Sequence, residues 1–242
     1  MAQIPNIELR RRILQKGLET KSGHFASALS CVDCIKYLYD HVLRDGIDTF
    51  ILSKAHGEMA QFSVLETKGF KPEWTVHLDL NEAQGIYATT GSLGHGLPIG
   101  VGRAFAKKLK GEDGRVYVLV GDGETEEGSN WEALIIANNL GLDNFTLLAD
   151  WNKYQAVSSV YDVARTDRST LKKRLEAFGC STIVVDGHDD TELARIGDLP
   201  RGLNAVILDT VKGKGISFLE NTHAHGYSWS AADVKQAWEE LK

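Results

Sequence analysis

Four short apolar runs dominate the second half of the chain: "RVYVLVGD" (strand residues 116–120), "FTLLAD" (145–149), "TIVV" (182–185) and "AVILDT" (205–210). Each is too short for a helix, rich in β-branched residues, and closes on glycine or polar residues. Between and around them, apolar residues recur at helical spacing over 7–16, 30–42, 57–67, 97–109, 126–139, 170–178 and 231–241. Strands buried on both faces and separated by helices predict an α/β fold, a parallel sheet with helices on both faces. The whole chain, 1–242, reads as one such domain with a mainly helical N-terminal portion packed around one end of the sheet, at an oligomer surface. No Pro/Ser-rich linker, repeat or low-complexity block divides it.

Bulk properties narrow the function classes. A net charge of −6 argues against a general affinity for nucleic acid. No run approaches the length of a membrane span, and the amphipathic, Glu-containing start resembles neither a signal nor a transit peptide, so a cytoplasmic protein without membrane contact is expected. Cys31 and Cys34 fall inside one helical run with no second pair, and with Cys180 read as buried small hydrophobes.

In an open parallel sheet, ligands bind beyond the C-terminal strand ends, and here those ends carry "GDG", "ADWNKYQ", "DGHD" and "TVKGKG". Asp122 ends one strand and Asn152 follows the next, so the fold brings the two side chains together. With the backbone carbonyl of Tyr154 they form a hard oxygen set suited to Mg²⁺ or Ca²⁺, leaving positions for phosphate and water. The turn N–H groups and the following helix N-terminus are expected to favour the same phosphates. Glu124 and Glu126 read as acids in a first helical turn. His24, His56, His95, His188, His223 and His225 recur beside glycines in polar loops, as neutral imidazoles lining a cleft would. No dinucleotide fingerprint, P-loop, H-E-x-x-H or G-x-S-x-G elbow is present, and Lys212 and Lys214 have the wrong spacing for a P-loop.

Taken together, "KSGH", "FILSKAHG", "TTGSLGHGLPIGVGRAFA", "GDGETEEGSNWEA", "VDGHD" and "DTVKGKGISFLEN" followed by "HG" resemble the thiamine-diphosphate-binding half of the transketolase family, in family order. The family's diphosphate motif, a Gly-Asp-Gly followed after roughly thirty residues by an Asn, matches Gly121-Asp122-Gly123 and Asn152. The resemblance implies thiamine diphosphate as cofactor and a metal held by Asp122, Asn152 and the Tyr154 carbonyl. It further implies a diphosphate contact at Gly123, and His56 and His225 near diphosphate and substrate. His24 falls on the substrate side, Gly91, Leu93 and Gly94 run close to the cofactor, and Glu127 matches a buried glutamate near a dimer contact.

The implied reaction is transfer of a two-carbon ketol unit from a ketose donor to an aldehyde acceptor, both sugars or sugar phosphates, with His24, His56 and His225 as catalytic residues. The family's pyrimidine-binding domain has no counterpart here. A separate C-terminal transketolase-like subunit in an α₂β₂ assembly is therefore expected. Departures fall on the sugar side: Phe25-Ala26 after "SGH", His95 in the glycine loop, and no "GHP" loop, with His77 as a partial substitute for its histidine. They leave room for another thiamine-dependent acyl or ketol transferase or decarboxylase half-subunit, or for a degenerate domain kept as an assembly partner.

Overall fold

The computed structural model describes residues 4–21, 23–223 and 227–242. Among them, five parallel strands form one sheet: β1 (Thr49–Leu52), β2 (Val116–Gly121), β3 (Asn144–Trp151), β4 (Ser181–Asp186) and β5 (Gly202–Asp209), in spatial order β1-β2-β3-β5-β4. The helices are α1 (Asn6–Thr20), α2 (Phe25–Tyr37), α3 (Glu58–Thr67), α4 (Gly96–Lys110) and α5 (Gly128–Asn139). After β3 come α6 (Val160–Ala164), α7 (Arg168–Ala177), α8 (Asp190–Leu193) and α9 (Ala231–Glu240).

Strand side chains alternate between two apolar layers, as the period of two requires. Leu52, Tyr117, Leu119, Leu148, Val206 and Leu208 pack with α1, α2, α3 and α9. Ile51, Val116, Val118, Val120, Phe145, Leu147, Ala205 and Ile207 pack with α4, α5 and α7. The sheet is thus covered on both faces, which explains the near-continuous apolar strands. β3 lies at its centre, pairing with β2 along Val116↔Phe145 to Gly121↔Asp150 and with β5 along Asn144↔Gly202 to Trp151↔Asp209.

Three expectations need correction. The sheet gains an edge strand, β1, from the stretch "TFIL", whose four residues are too few to show a period beside the polar Ser53 and Lys54. The N-terminal helices cover one whole face of the sheet, with Leu9, Ile13, Phe25 and Phe62 in its core, instead of packing around one end. The helix after β2 begins at Gly128, preceded by a 3₁₀ turn over Gly123–Glu126. All three cysteines are buried and unbridged. No helix among the described residues is long and apolar enough to cross a membrane.

Candidate active site

A cleft of about 330 Å³ opens beyond the C-terminal ends of the strands. Its walls include His24, His56, Gly91, Leu93, Gly121, Asp122, Gly123, Glu127, Asn152 and Tyr154, all of them singled out in the sequence. Parallel strand order explains the convergence, because β1, β2, β3 and β5 all deliver their following loops to the same end. Gly94 stands behind the wall, with φ of +80° and its N–H donating to Glu124 Oε1 at 2.9 Å. A Cβ there would lie 2.5 Å from Ser129 Oγ, so both conformation and space demand glycine. His225 lies outside the described residues.

Asp122 is 2% exposed and its carboxylate accepts two backbone N–H groups, from Gly123 at 2.8 Å and Lys153 at 2.5 Å. Among the described residues no side-chain cation forms an ion pair with it. Burial, and the Asp150 carboxylate nearby, push its pKa up to about 7. Asn152 is fixed at both ends of its amide: Nδ2 donates to Asp150 Oδ2 at 3.2 Å, and Oδ1 accepts the Tyr154 N–H at 3.1 Å. The intervening Lys153 adopts φ of +77°, a left-handed conformation that turns its N–H back onto Asp122. Its side chain pairs with Asp209, which Arg168 also holds. Among the described residues there is no group of three or more His, Cys, Asp or Glu that could hold a metal. The oxygen set expected here is of another kind, one carboxylate, one amide and one backbone carbonyl.

The acidic turn differs from its sequence reading. Glu124 is not a helix-start charge; it is buried at 1% exposure and joins three segments. Its Oε1 accepts the Ser53 hydroxyl and the Gly94 N–H, and its Oε2 accepts the Gly121 N–H at 3.1 Å. Burial raises its pKa despite those bonds. Glu126 also precedes α5, and on the exposed rim it accepts a hydrogen bond from Gln155 Nε2 at 3.0 Å. Glu127, expected to be buried, is exposed in this chain at the position preceding α5. Nor are the turn N–H groups a free phosphate nest. Gly121 N–H goes to Glu124, Asp122 N–H to the Asp150 carbonyl and Gly123 N–H to Asp122 Oδ1. The start of α5 lies beyond the 3₁₀ turn.

Cationic charge enters the cleft from a residue that P-loop spacing does not pick out. Lys212, after β5, is 3% exposed, lines the cleft and has no ion-pair partner among the described residues. Burial, reinforced by the Lys54 ammonium, lowers its pKa, and its Nζ stands 5.8 Å from the Tyr154 ring centroid. Its signal is the "VKGKG" loop at a strand end, legible only once β5 is placed beside β3. Lys54 and Asp150, both fully buried, form an ion pair beneath the cleft. Burial opposes both charges, yet each holds the other ionised: Lys54 is raised and Asp150 lowered from their ordinary pKa values.

The histidines separate into two groups. His24 and His56 face each other across the cleft with ring centroids 6.2 Å apart. His77 also lines the cleft, against Gly91, and His223 meets the Tyr154 ring edge-on at 5.1 Å. His188 has a structural position: Nδ1 bonds Asp33 Oδ2 at 2.7 Å and Nε2 accepts the Val211 N–H at 2.9 Å. His95 precedes α4 and does not line the cleft.

The same fold and cleft residues recur in known proteins. The family model described as transketolase, thiamine diphosphate binding domain, matches residues 11–242. One of the two subunits of an apulose-4-phosphate transketolase, from Actinobacillus succinogenes, is 36% identical, over 97% of this chain and 93% of the relative. A 6-deoxy-6-sulfo-D-fructose transketolase subunit of a Clostridium species is 29% identical, over 88% of this chain and 85% of its own length. The crystal structure of transketolase from Campylobacter jejuni superposes with a TM-score of 0.84 at 26% identity, covering 98% of this chain. Against that transketolase the chain spans only 42% of the length.

Proposed function

The chain belongs to the transketolase family, through its thiamine diphosphate binding domain, and from that premise we propose that it is the diphosphate-holding subunit of a two-chain ketol transferase. The observation that carries the reading is the pairing of Asp122 and Asn152 in one cleft with the buried Lys212, which has no ion-pair partner among the described residues. An uncompensated buried carboxylate and an uncompensated buried ammonium are each costly. A divalent cation on the first, and a diphosphate reaching both, offset the two costs at once.

The donor set fits the group. Asp122 and the Asn152 amide oxygen keep lone pairs beyond their N–H partners, and with the Tyr154 carbonyl would hold Mg²⁺ or Ca²⁺. Gly123 fits a close approach, since a Cβ there would meet Gln155 Cβ at 2.7 Å. Gly121, Gly91 and Leu93 complete the wall, and Gly94, Glu127 and His225 belong to the same proposed cofactor surroundings. When bound, thiamine diphosphate supplies the nucleophilic carbon and the electron sink for breaking and making the carbon–carbon bond.

The chain's own residues then orient and move protons. His24 and His56, facing each other in the cleft, suit the donor's hydroxyl and carbonyl oxygens. His225 is assigned to the same work by the family motif. Lys212 neutralises phosphate charge. The open cleft, with Glu127 exposed on its wall, is closed in this reading by a separate C-terminal transketolase-like subunit carrying the pyrimidine side, in an α₂β₂ assembly. Relatives named as subunits and covered over most of their length support a two-chain enzyme. Their names, a sugar phosphate in one and a sulfonated sugar in the other, favour a ketose donor with a terminal anionic group, and a cytoplasmic setting suits such substrates.

The test is reconstitution with the partner chain, followed by an assay of two-carbon transfer from a panel of phosphorylated and sulfonated ketoses to aldehyde acceptors. Mg²⁺-dependent turnover of at least one such donor is expected. Inactivity on all of them, with turnover of a 2-oxo acid instead, would overturn the ketol-transfer reading in favour of a decarboxylase-type half-subunit.

A further inference from the structure

We propose that Asp150 is a positioning residue, one buried carboxylate that fixes the places of the cleft-facing side chains through four separate segments. Its Oδ2 accepts Lys54 Nζ, Ser30 Oγ at 2.6 Å and Asn152 Nδ2 at 3.2 Å, and its Oδ1 accepts the Thr210 hydroxyl. Each donor belongs to a different part of the cleft wall. Asn152 lines it directly. Lys54 stands two residues before His56, and Thr210 two residues before Lys212. Ser30 is on α2, whose preceding residue is His24 and whose first turn carries the wall residue Ser27. Lys54 reinforces the tie to α2, donating also to the Ser27 carbonyl at 3.1 Å.

Stability alone is a poor reason for this cluster. Asp150 and Lys54 are both 0% exposed, and a buried ion pair is commonly replaced by apolar residues of similar volume with little loss. Geometry is a better reason. The Asn152 amide has two chemically different ends, and Asp150 accepts only from the NH₂ end. The carbonyl end is thereby turned the other way, toward the Tyr154 N–H and the cleft. Without Asp150 the amide is free to turn its NH₂ toward a cation, which repels it. This part of the inference rests on the metal reading above; the hub itself does not.

The test uses the full chain in complex with its partner subunit. The double substitution Lys54→Met with Asp150→Leu removes both buried charges together. Unfolding in urea, thiamine diphosphate affinity in the presence of Mg²⁺, and a crystal structure of the ligand-free chain are measured. The expected result is an unfolding midpoint close to that of the unsubstituted chain, with cofactor affinity lowered about 10- to 100-fold, the usual effect of removing an outer partner of a metal ligand. The Asn152 amide should be rotated in the crystal. Unchanged affinity with Asn152, His56 and Lys212 unmoved would overturn the proposal. If the double variant does not fold, Ser30→Ala and Thr210→Val each remove one bond. A displaced α2 start or Lys212 with weakened binding then supports the hub, and unchanged structures and affinity refute it. If the unsubstituted complex binds no thiamine diphosphate with Mg²⁺, the proposed function fails. The positioning claim is then decided by the ligand-free structures, by the same displacement or its absence.

Discussion

Replacing Lys212 by methionine separates a ligand-binding lysine from a structural one. The substitution keeps the length of the side chain and removes only its charge. In the chain by itself two small effects oppose each other. The contact of Nζ with the Tyr154 ring, at 5.8 Å, contributes about 0.5–1 kcal/mol. Against that, an ammonium 3% exposed and without an ion-pair partner among the described residues pays a desolvation cost of comparable or larger size. Lys212→Met should therefore leave the unfolding free energy within about 1 kcal/mol of the unsubstituted chain, measured in urea without cofactor. In the complex the balance changes. A charge-assisted hydrogen bond to a phosphate oxygen contributes about 1.5–3 kcal/mol, so thiamine diphosphate affinity should fall about 10- to 100-fold by calorimetry. Unchanged affinity, or a loss of several kcal/mol in the cofactor-free chain, would refute the assignment and make Lys212 a packing residue.

Two further outcomes follow from the same physical accounting. Glu124→Ala strands the Ser53 hydroxyl and the Gly94 and Gly121 N–H groups in a buried site. A destabilisation of about 3 kcal/mol or more is expected in urea; a loss under about 1 kcal/mol would show that water replaces the carboxylate freely. Asp33 is buried, which alone would raise its pKa, but His188 and Arg10 hold it below its ordinary 3.8. A depressed carboxylate stabilises the fold above its unfolded pKa and loses that contribution as the pH falls through the folded value. Asp33→Asn should flatten the loss of stability between about pH 4 and about pH 2; an unaltered slope there would remove Asp33 from the acid response.

Strand-end chemistry is legible in the sequence where it depends on spacing along one strand and its loop. Gly121-Asp122-Gly123 and Asn152 can be joined because consecutive parallel strands are neighbours, and the structure pairs Gly121 with Asp150. What stays hidden depends on contacts between distant segments. Glu124 resembles a helix-start acid because its sequence neighbours are acidic, whereas its actual partners come from three different segments. Lys54 and Asp150 carry no pattern of their own; only the β1–β2–β3 order brings them together. Lys212 lacks P-loop spacing, although β5 next to β3 delivers it to the same cleft. The edge strand β1 is invisible for a simpler reason, its four residues being shorter than any periodic signal.

Cation-dependent cofactor binding at Asp122 tests the central claim most directly. Thiamine diphosphate would be titrated into the complex of this chain with its partner subunit, with Mg²⁺ present or removed by chelation, for the unsubstituted chain and for Asp122→Ala. The account predicts that affinity drops at least about 100-fold on chelation, and that Asp122→Ala binds as weakly with Mg²⁺ as the unsubstituted complex does without it. Equal affinity in all four titrations would contradict it.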